Sequence, residues 1–128
     1  MQFSVRFEPE TDLVVATCSG TLKMNDAWLG ATVLWDNPGW SGKPVIWDLR
    51  SAQLDLRGSE VGEIAKYILE HQPAIPPPRV AFVTDRDVDF GLVRMFQAIR
   101  RHPSTQVEVF RDYDEAISWA RHGPRIGP

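Results

Sequence analysis

The spacing of apolar and polar residues changes several times along this chain, and each change predicts a different element. Residues 3–7 alternate and residues 13–18 run apolar, with a turn at Pro9–Asp12 between them, which predicts an N-terminal β-hairpin. Nearly continuous apolar runs at 44–49 and 79–84 predict interior strands that are covered on both faces. The segments that follow these strands carry apolar residues at i, i+3, i+4 and i+7, which predicts amphipathic helices.

The last strand and helix are the most sharply defined elements of the sequence. Val107, Val109 and Phe110 form a short run of β-formers. Asp112 is predicted to cap the next helix, with Glu115 placed three residues later as in a capping box, and a Gly-Pro pair ends that helix. The predicted order is β-β-α-β-α-β-α-β-α. It implies an α/β domain with a mixed, mostly parallel sheet of about five strands, an N-terminal β-hairpin and about four helices.

Composition narrows the class of protein. A chain of 128 residues can bury one core, so we expect a single domain over residues 1–128. A formal net charge of −3 argues against a nucleic-acid binder. There is no apolar run of about 18 residues, which predicts no membrane span. The first residues lack the basic and apolar regions of a secretion signal, so we expect a cytoplasmic protein.

The sequence carries no recognisable catalytic motif. It contains no G-x-S-x-G, P-loop or G-x-G-x-x-G pattern, and no set of nucleophile, base and orienting group. His71, His102 and His122 fall at predicted helix ends without metal-binding spacing. Cys18, the only cysteine, is expected to be a buried, inert thiol. We therefore predict no metal, no cofactor and no enzymatic activity.

Several polar residues lie at or just after the carboxyl ends of the two predicted interior strands. They are Asp48, Arg50, Thr84, Asp85 and Arg86. Ligands of open α/β sheets bind outside the carboxyl ends of such strands, so these side chains are candidates for a polar rim around a small binding site. The alternative is structural: Asp85 caps the next helix and Arg50 pairs with a surface acid.

Tryptophan is frequent for a chain of this size. Trp28 and Trp35 lie on the first predicted helix, and three interpretations stay open for them. They pack in the core, they form a homodimer face, or they line a pocket for an apolar small molecule.

Three arginines share the third predicted helix, and Arg86 lies just ahead of it. The three are Arg94, Arg100 and Arg101. A solvated helix face is the simpler explanation for them, and contact with an acidic partner or a phospholipid head group is the alternative.

Five segments together resemble a known family. They are LVVATCSGTL at 13–22, PVIWDLR at 44–50, RVAFVTD at 79–85, GLVRMFQA at 91–98 and VEVFRDYDEAISWA at 107–120. Their order and spacing resemble STAS-like domains. The closer resemblance is to the SpoIIAA-like branch, small bacterial proteins related in fold to the lipid-binding Sec14 (CRAL-TRIO) domains.

This resemblance implies a function but not a conserved phosphorylation site. Signalling STAS domains carry a phosphorylated serine in a D-S-S-G-like turn, whereas the matching region here reads DLRSAQLDLRGSEVG. Ser59 is the nearest equivalent, and capping of the following helix is the alternative role for it. The family implies a non-enzymatic interaction or regulatory module, similar to anti-sigma-factor antagonists, that forms a homodimer and binds a protein partner. The alternative is a small carrier or sensor of an apolar or lipid-like ligand.

Overall fold

The computed structural model describes residues 2–124 and follows the predicted order of elements. In chain order the elements are β1 (Gln2–Glu8), β2 (Leu13–Leu22), α1 (Met24–Trp35), β3 (Val45–Leu54), α2 (Gly58–Glu70), β4 (Arg79–Val83), α3 (Asp87–Ile99), β5 (Gln106–Phe110) and α4 (Tyr113–His122). A short 3-10 turn, Pro38–Trp40, lies between α1 and β3. Within this part of the chain, no helix combines the length and apolar character needed to cross a bilayer.

The five strands form one sheet in the order β1-β2-β3-β4-β5. β1 is antiparallel to β2, and β2, β3, β4 and β5 are parallel to one another. The hairpin turn places Asp12 at a φ of 59°, in the left-handed region that aspartate tolerates better than most residues. The mixed, mostly parallel sheet confirms the predicted fold class.

Helices cover both faces of the sheet. Because successive residues of a strand point to opposite faces, Ile46 packs towards α4 while Trp47 and Leu49 pack towards α1, α2 and α3. Ala116 and Ala120 are fully buried, which lets α4 approach its face closely. The other face has three helices above it, and the space beneath them contains the candidate site.

β3 is longer than the sequence predicts. We expected a strand to end near Leu49 and a loop to follow, but β3 continues to Leu54. The reason is its neighbour: after an irregularity between Thr17 and Ser19, β2 continues to Leu22 and pairs with the extra residues of β3. The prediction that Asp48 and Arg50 follow the strand is therefore wrong, since both lie within it.

The predicted start and end of α4 are confirmed. The Asp112 side chain accepts a hydrogen bond from the Glu115 backbone N–H at 3.0 Å. Gly123, which follows the helix, has a φ of 77°, a conformation that favours glycine.

The predicted caps of α2 and α3 are wrong. α2 has Arg57 at its N-cap, and the Glu60 carboxylate accepts the Arg57 backbone N–H at 2.9 Å. Ser59 therefore lies inside the first turn, where it is exposed. Arg86 occupies the N-cap of α3, so Asp85 does not cap that helix.

Candidate functional site

A cavity of about 200 Å³ lies between the sheet and helices α1, α2 and α3. On the sheet side, neighbouring strands contribute Val45, Val80 and Val107 in register. Leu22 and Leu54, which pair at the carboxyl ends of β2 and β3, also line it. The cavity therefore extends along the strands, from their amino ends towards their carboxyl ends.

Aromatic side chains from several elements contribute to the cavity wall. Trp47 is stacked between Phe3 and Phe82, with ring centroids 5.7 Å and 6.2 Å away. Trp35 contributes from the end of α1 and Trp40 from the 3-10 turn. Such flat, rigid surfaces are typical of sites that bind small apolar molecules.

A glycine sets the distance between α1 and this wall. A Cβ atom added to Gly30 would lie 3.0 Å from Cη2 of Trp47. The absence of a side chain at Gly30 therefore lets α1 rest directly on the indole ring.

The cavity reaches the surface near the segment that connects α2 to β4. Ile75 lines the cavity and is 60% exposed. Gly42, which precedes β3, has a φ of 74°, and a Cβ there would lie 3.0 Å from Cγ2 of Ile75. Both segments lead into strands, so this opening lies at the amino ends of the parallel strands. The sequence had predicted a site at their carboxyl ends.

Two buried polar groups interrupt the apolar lining. Arg100 follows α3 and is only 5% exposed, and Gln72 follows α2. Within residues 2–124, Nη1 of Arg100 and both amide atoms of Gln72 are buried without a hydrogen-bond partner. Burial lowers the pKa of Arg100. The cavity thus has polar groups that the described part of the chain does not satisfy.

Of these two residues, the sequence pattern singled out Arg100 but not Gln72. The interpretation of Arg100 as part of a solvated helix face is wrong, because Arg100 is buried, whereas the neighbouring Arg101 is exposed. A signal for Arg100 does exist, because it lies four residues after Phe96 and seven after Val93 and so continues the apolar face of α3. Nothing comparable marks Gln72.

Asp48 and Arg50, predicted as part of a polar rim, form an ion pair with each other. Oδ1 of Asp48 accepts from Nε of Arg50 at 2.9 Å, and Oδ2 accepts from Nη2 at 2.8 Å. These hydrogen bonds lower the pKa of Asp48. The guanidinium lies 4.5 Å from the ring centre of Tyr113, whose pKa is raised by burial. The pair therefore faces α4, on the side of the sheet opposite the cavity.

The other predicted rim residues gather at the start of α3. Thr84 is buried and its Oγ1 has no hydrogen-bond partner within residues 2–124. Asp85 and Arg86 are exposed. Nη1 of Arg86 lies 3.7 Å from Oδ2 of Asp89, a fully buried carboxylate that also accepts the backbone N–H of Leu54. No hydrogen bond or ion pair of the described residues joins this group to the Asp48–Arg50 pair.

Of the remaining candidate site residues, Trp35 lines the cavity, whereas Trp28 and Ser59 do not. Trp35 lines the cavity and stacks with Tyr67 at 6.1 Å. Trp28 packs edge-on against Tyr67 at 4.2 Å and lies outside the lining. Ser59 is an exposed residue of the first turn of α2.

Cys18 is fully buried, and burial together with the charge of Asp48 raises the pKa of its thiol to about 12. Within residues 2–124, no three side chains of His, Cys, Asp or Glu are grouped so that they could hold a metal ion.

Comparison with solved structures shows that the chain has a SpoIIAA-like fold. It is similar to an uncharacterised protein of the DUF3478 family with a SpoIIAA-like fold from Shewanella loihica PV-4. The TM-score is 0.56, the sequence identity is 16%, and the match covers 93% of this chain and 92% of that chain. At this identity the likeness shows the fold alone, and it confirms the fold implied by the family resemblance. No protein-family model and no curated protein matches the sequence.

Proposed function

We propose that this protein binds a small apolar or lipid-like molecule in the cavity beneath α1, α2 and α3, as a carrier or a sensor. The observation that carries the proposal is the cavity of about 200 Å³ with its largely apolar, aromatic lining. The proposed role is binding without catalysis, and we retain the prediction of a cytoplasmic location.

The size of the cavity supports this proposal because protein interiors are usually close-packed. Voids larger than a water molecule are few in a small domain. Apolar cavities of about 150 Å³ bind small aromatic molecules, and binding sites are concave, mostly apolar and largely preformed. A preformed, largely apolar space of this kind therefore has the character of a ligand-binding site.

A protein-interaction module, the function that the sequence favoured, is the second candidate. It is supported by exposed apolar side chains at helical spacing, Leu29 and Val33 on α1 and Met95 and Ile99 on α3. Exposed apolar groups of this kind mark contacts with a protein partner or a second copy of the chain. Light scattering at high protein concentration tests the homodimer, and a monomer would count against it.

Titration with decanol, an uncharged apolar probe, tests the proposed function. The tryptophans that line the cavity report binding through their fluorescence, and native mass spectrometry reports any molecule retained during purification. Ala31 lines the cavity from α1, so Ala31→Phe should fill part of the space and abolish decanol binding. Val33→Phe is the matched control, because Val33 lies on the same helix, is partly exposed and does not line the cavity.

The expected result is saturable decanol binding that Ala31→Phe removes and Val33→Phe preserves, with both variants folded by circular dichroism. The proposal would be refuted if the natural protein bound neither decanol nor any other molecule with an apolar tail and also retained no small molecule during purification. Equal binding by the two variants would place the ligand elsewhere.

A further inference from the structure

The most unusual group in the cavity is an arginine whose charge no described residue balances. Arg100 is 5% exposed, and within residues 2–124 it takes part in no ion pair. Burial of an isolated charge is strongly unfavourable unless the charge is paired and hydrogen-bonded. A guanidinium presents its N–H donors in a planar fork that matches a carboxylate or phosphate. The guanidinium of Arg100 therefore has the chemistry that is needed to bind an anion.

The topology places Gln72 at the same edge of the sheet as Arg100. Because β3, β4 and β5 are parallel, the connecting helices α2 and α3 both run opposite to the strands and end near the amino ends of the strands. Gln72 follows α2 and Arg100 follows α3, and both line the cavity. The Gln72 amide adds an N–H donor and a carbonyl acceptor, neither of which has a partner in the described chain.

A second groove connects Arg100 with the surface. Arg100 lines both this groove and the apolar cavity. Among the described residues that line it are Arg94, Arg101 and one acidic residue, Glu108. The excess of arginine side chains over carboxylates would attract an anion towards Arg100.

We propose that the ligand of the cavity is an amphiphile with a single apolar tail and a terminal oxyanion, and that Arg100 and Gln72 bind the oxyanion. The tail lies along the aromatic wall, and the head group meets the guanidinium at the edge where α2 and α3 end. This inference rests on the proposed function, because it specifies the molecule that the same cavity holds. Carboxylate and phosphate share the required chemistry.

Probes with the same tail and different head groups test the inference. Decanoate and decyl phosphate carry the oxyanion, decanol lacks it, and acetate and inorganic phosphate lack the tail. We expect decanoate or decyl phosphate to bind at least about tenfold more tightly than decanol, since hydrogen bonds to charged groups are the stronger ones. Whichever anion binds more tightly identifies the head group. Acetate and inorganic phosphate should bind far more weakly than either.

Substitution of the arginine assigns the effect to the cavity. Arg100→Met should weaken binding of the preferred anionic amphiphile about tenfold or more and leave decanol binding within about twofold. Arg101→Met is the matched control, because Arg101 is the exposed neighbour, and it should change neither affinity by more than about twofold. Arg100→Lys keeps the charge but loses the planar fork, and should lie between the natural protein and Arg100→Met. It also provides the test if Arg100→Met does not fold.

The outcomes separate the two proposals. If neither decanol nor the anionic probes bind, the proposed function fails. If decanol binds as tightly as both anionic amphiphiles and the Arg100 variants do not change this, the cavity binds ligands but the inference about the head group is overturned. Equal affinity for decanoate and acetate, or for decyl phosphate and inorganic phosphate, would also overturn it, because the tail would then contribute nothing.

Discussion

Removal of the Asp48–Arg50 ion pair should destabilise the protein without changing ligand binding. Asp48 accepts two side-chain hydrogen bonds and the backbone N–H of Arg50. The Asp48 side chain is 12% exposed and that of Arg50 is 41% exposed. Exposed ion pairs contribute up to about 1 kcal/mol, and loss of one partner of a buried pair costs about 3–5 kcal/mol. This half-buried pair lies between those limits, so Asp48→Asn should lower the free energy of unfolding by about 2 kcal/mol.

The effect should depend on pH in a defined direction. Hydrogen bonding to Arg50 holds the pKa of Asp48 below its ordinary value of 3.8 in the folded protein. The unfolded state therefore binds more protons than the folded state in this range, and the stabilisation is present above the unfolded pKa. It is lost as pH falls through the lower pKa of the folded protein. The difference between the natural protein and Asp48→Asn should thus be largest near neutral pH and shrink below about pH 4.

Urea denaturation at a series of pH values measures this difference. A double-mutant cycle with Asp48→Asn, Arg50→Gln and the double variant isolates the pairwise term, which we expect to be about 1–2 kcal/mol. Asp85→Asn is the matched control, because Asp85 is exposed and its side chain makes no hydrogen bond within residues 2–124. Equal stability of Asp48→Asn and the natural protein at neutral pH would refute the reasoning. Loss of decanol or decanoate binding in Asp48→Asn would instead give the pair a functional role.

Three further predictions follow from single positions. Gly91→Ala should stabilise α3 by about 0.5–1 kcal/mol, because the added Cβ would lie in open space. Gly30→Ala should give no such gain, because its Cβ would meet the packed ring of Trp47. Equal gains of the two variants in urea denaturation would contradict this reasoning. Cys18 should resist iodoacetamide at about pH 8 in the folded protein and react in denaturant, because burial raises the pKa of its thiol to about 12. Rapid labelling of the native protein would be inconsistent with this prediction. Arg100→Met should raise the stability of the ligand-free protein by about 1–3 kcal/mol, because it removes a buried charge that no residue of 2–124 balances. A lower Tm in thermal denaturation would count against that account.

Local signals determined the order of elements and the identity of the best-defined ones. Apolar runs and helical spacing depend only on residues near in sequence, and they predicted the hairpin, the interior strands and the helices. Asp112 caps α4 as predicted because its partner lies three residues away in the chain. The family resemblance used the same patterns over a longer range and therefore also identified the fold.

Contacts between distant segments decided what the sequence alone did not determine. β3 extends to Leu54 because β2 offers it partners, and this moves Asp48 and Arg50 from a predicted rim into a strand. Arg100 is buried because it continues the face of α3 that packs against the sheet, whereas Arg101 beside it is exposed. No single segment of the sequence forms the cavity, because the cavity is the space between the sheet and the packed helices α1, α2 and α3. Sequence periodicity states which face of each helix is apolar, but only the packed structure decides how closely those faces meet and which polar groups they leave unpaired.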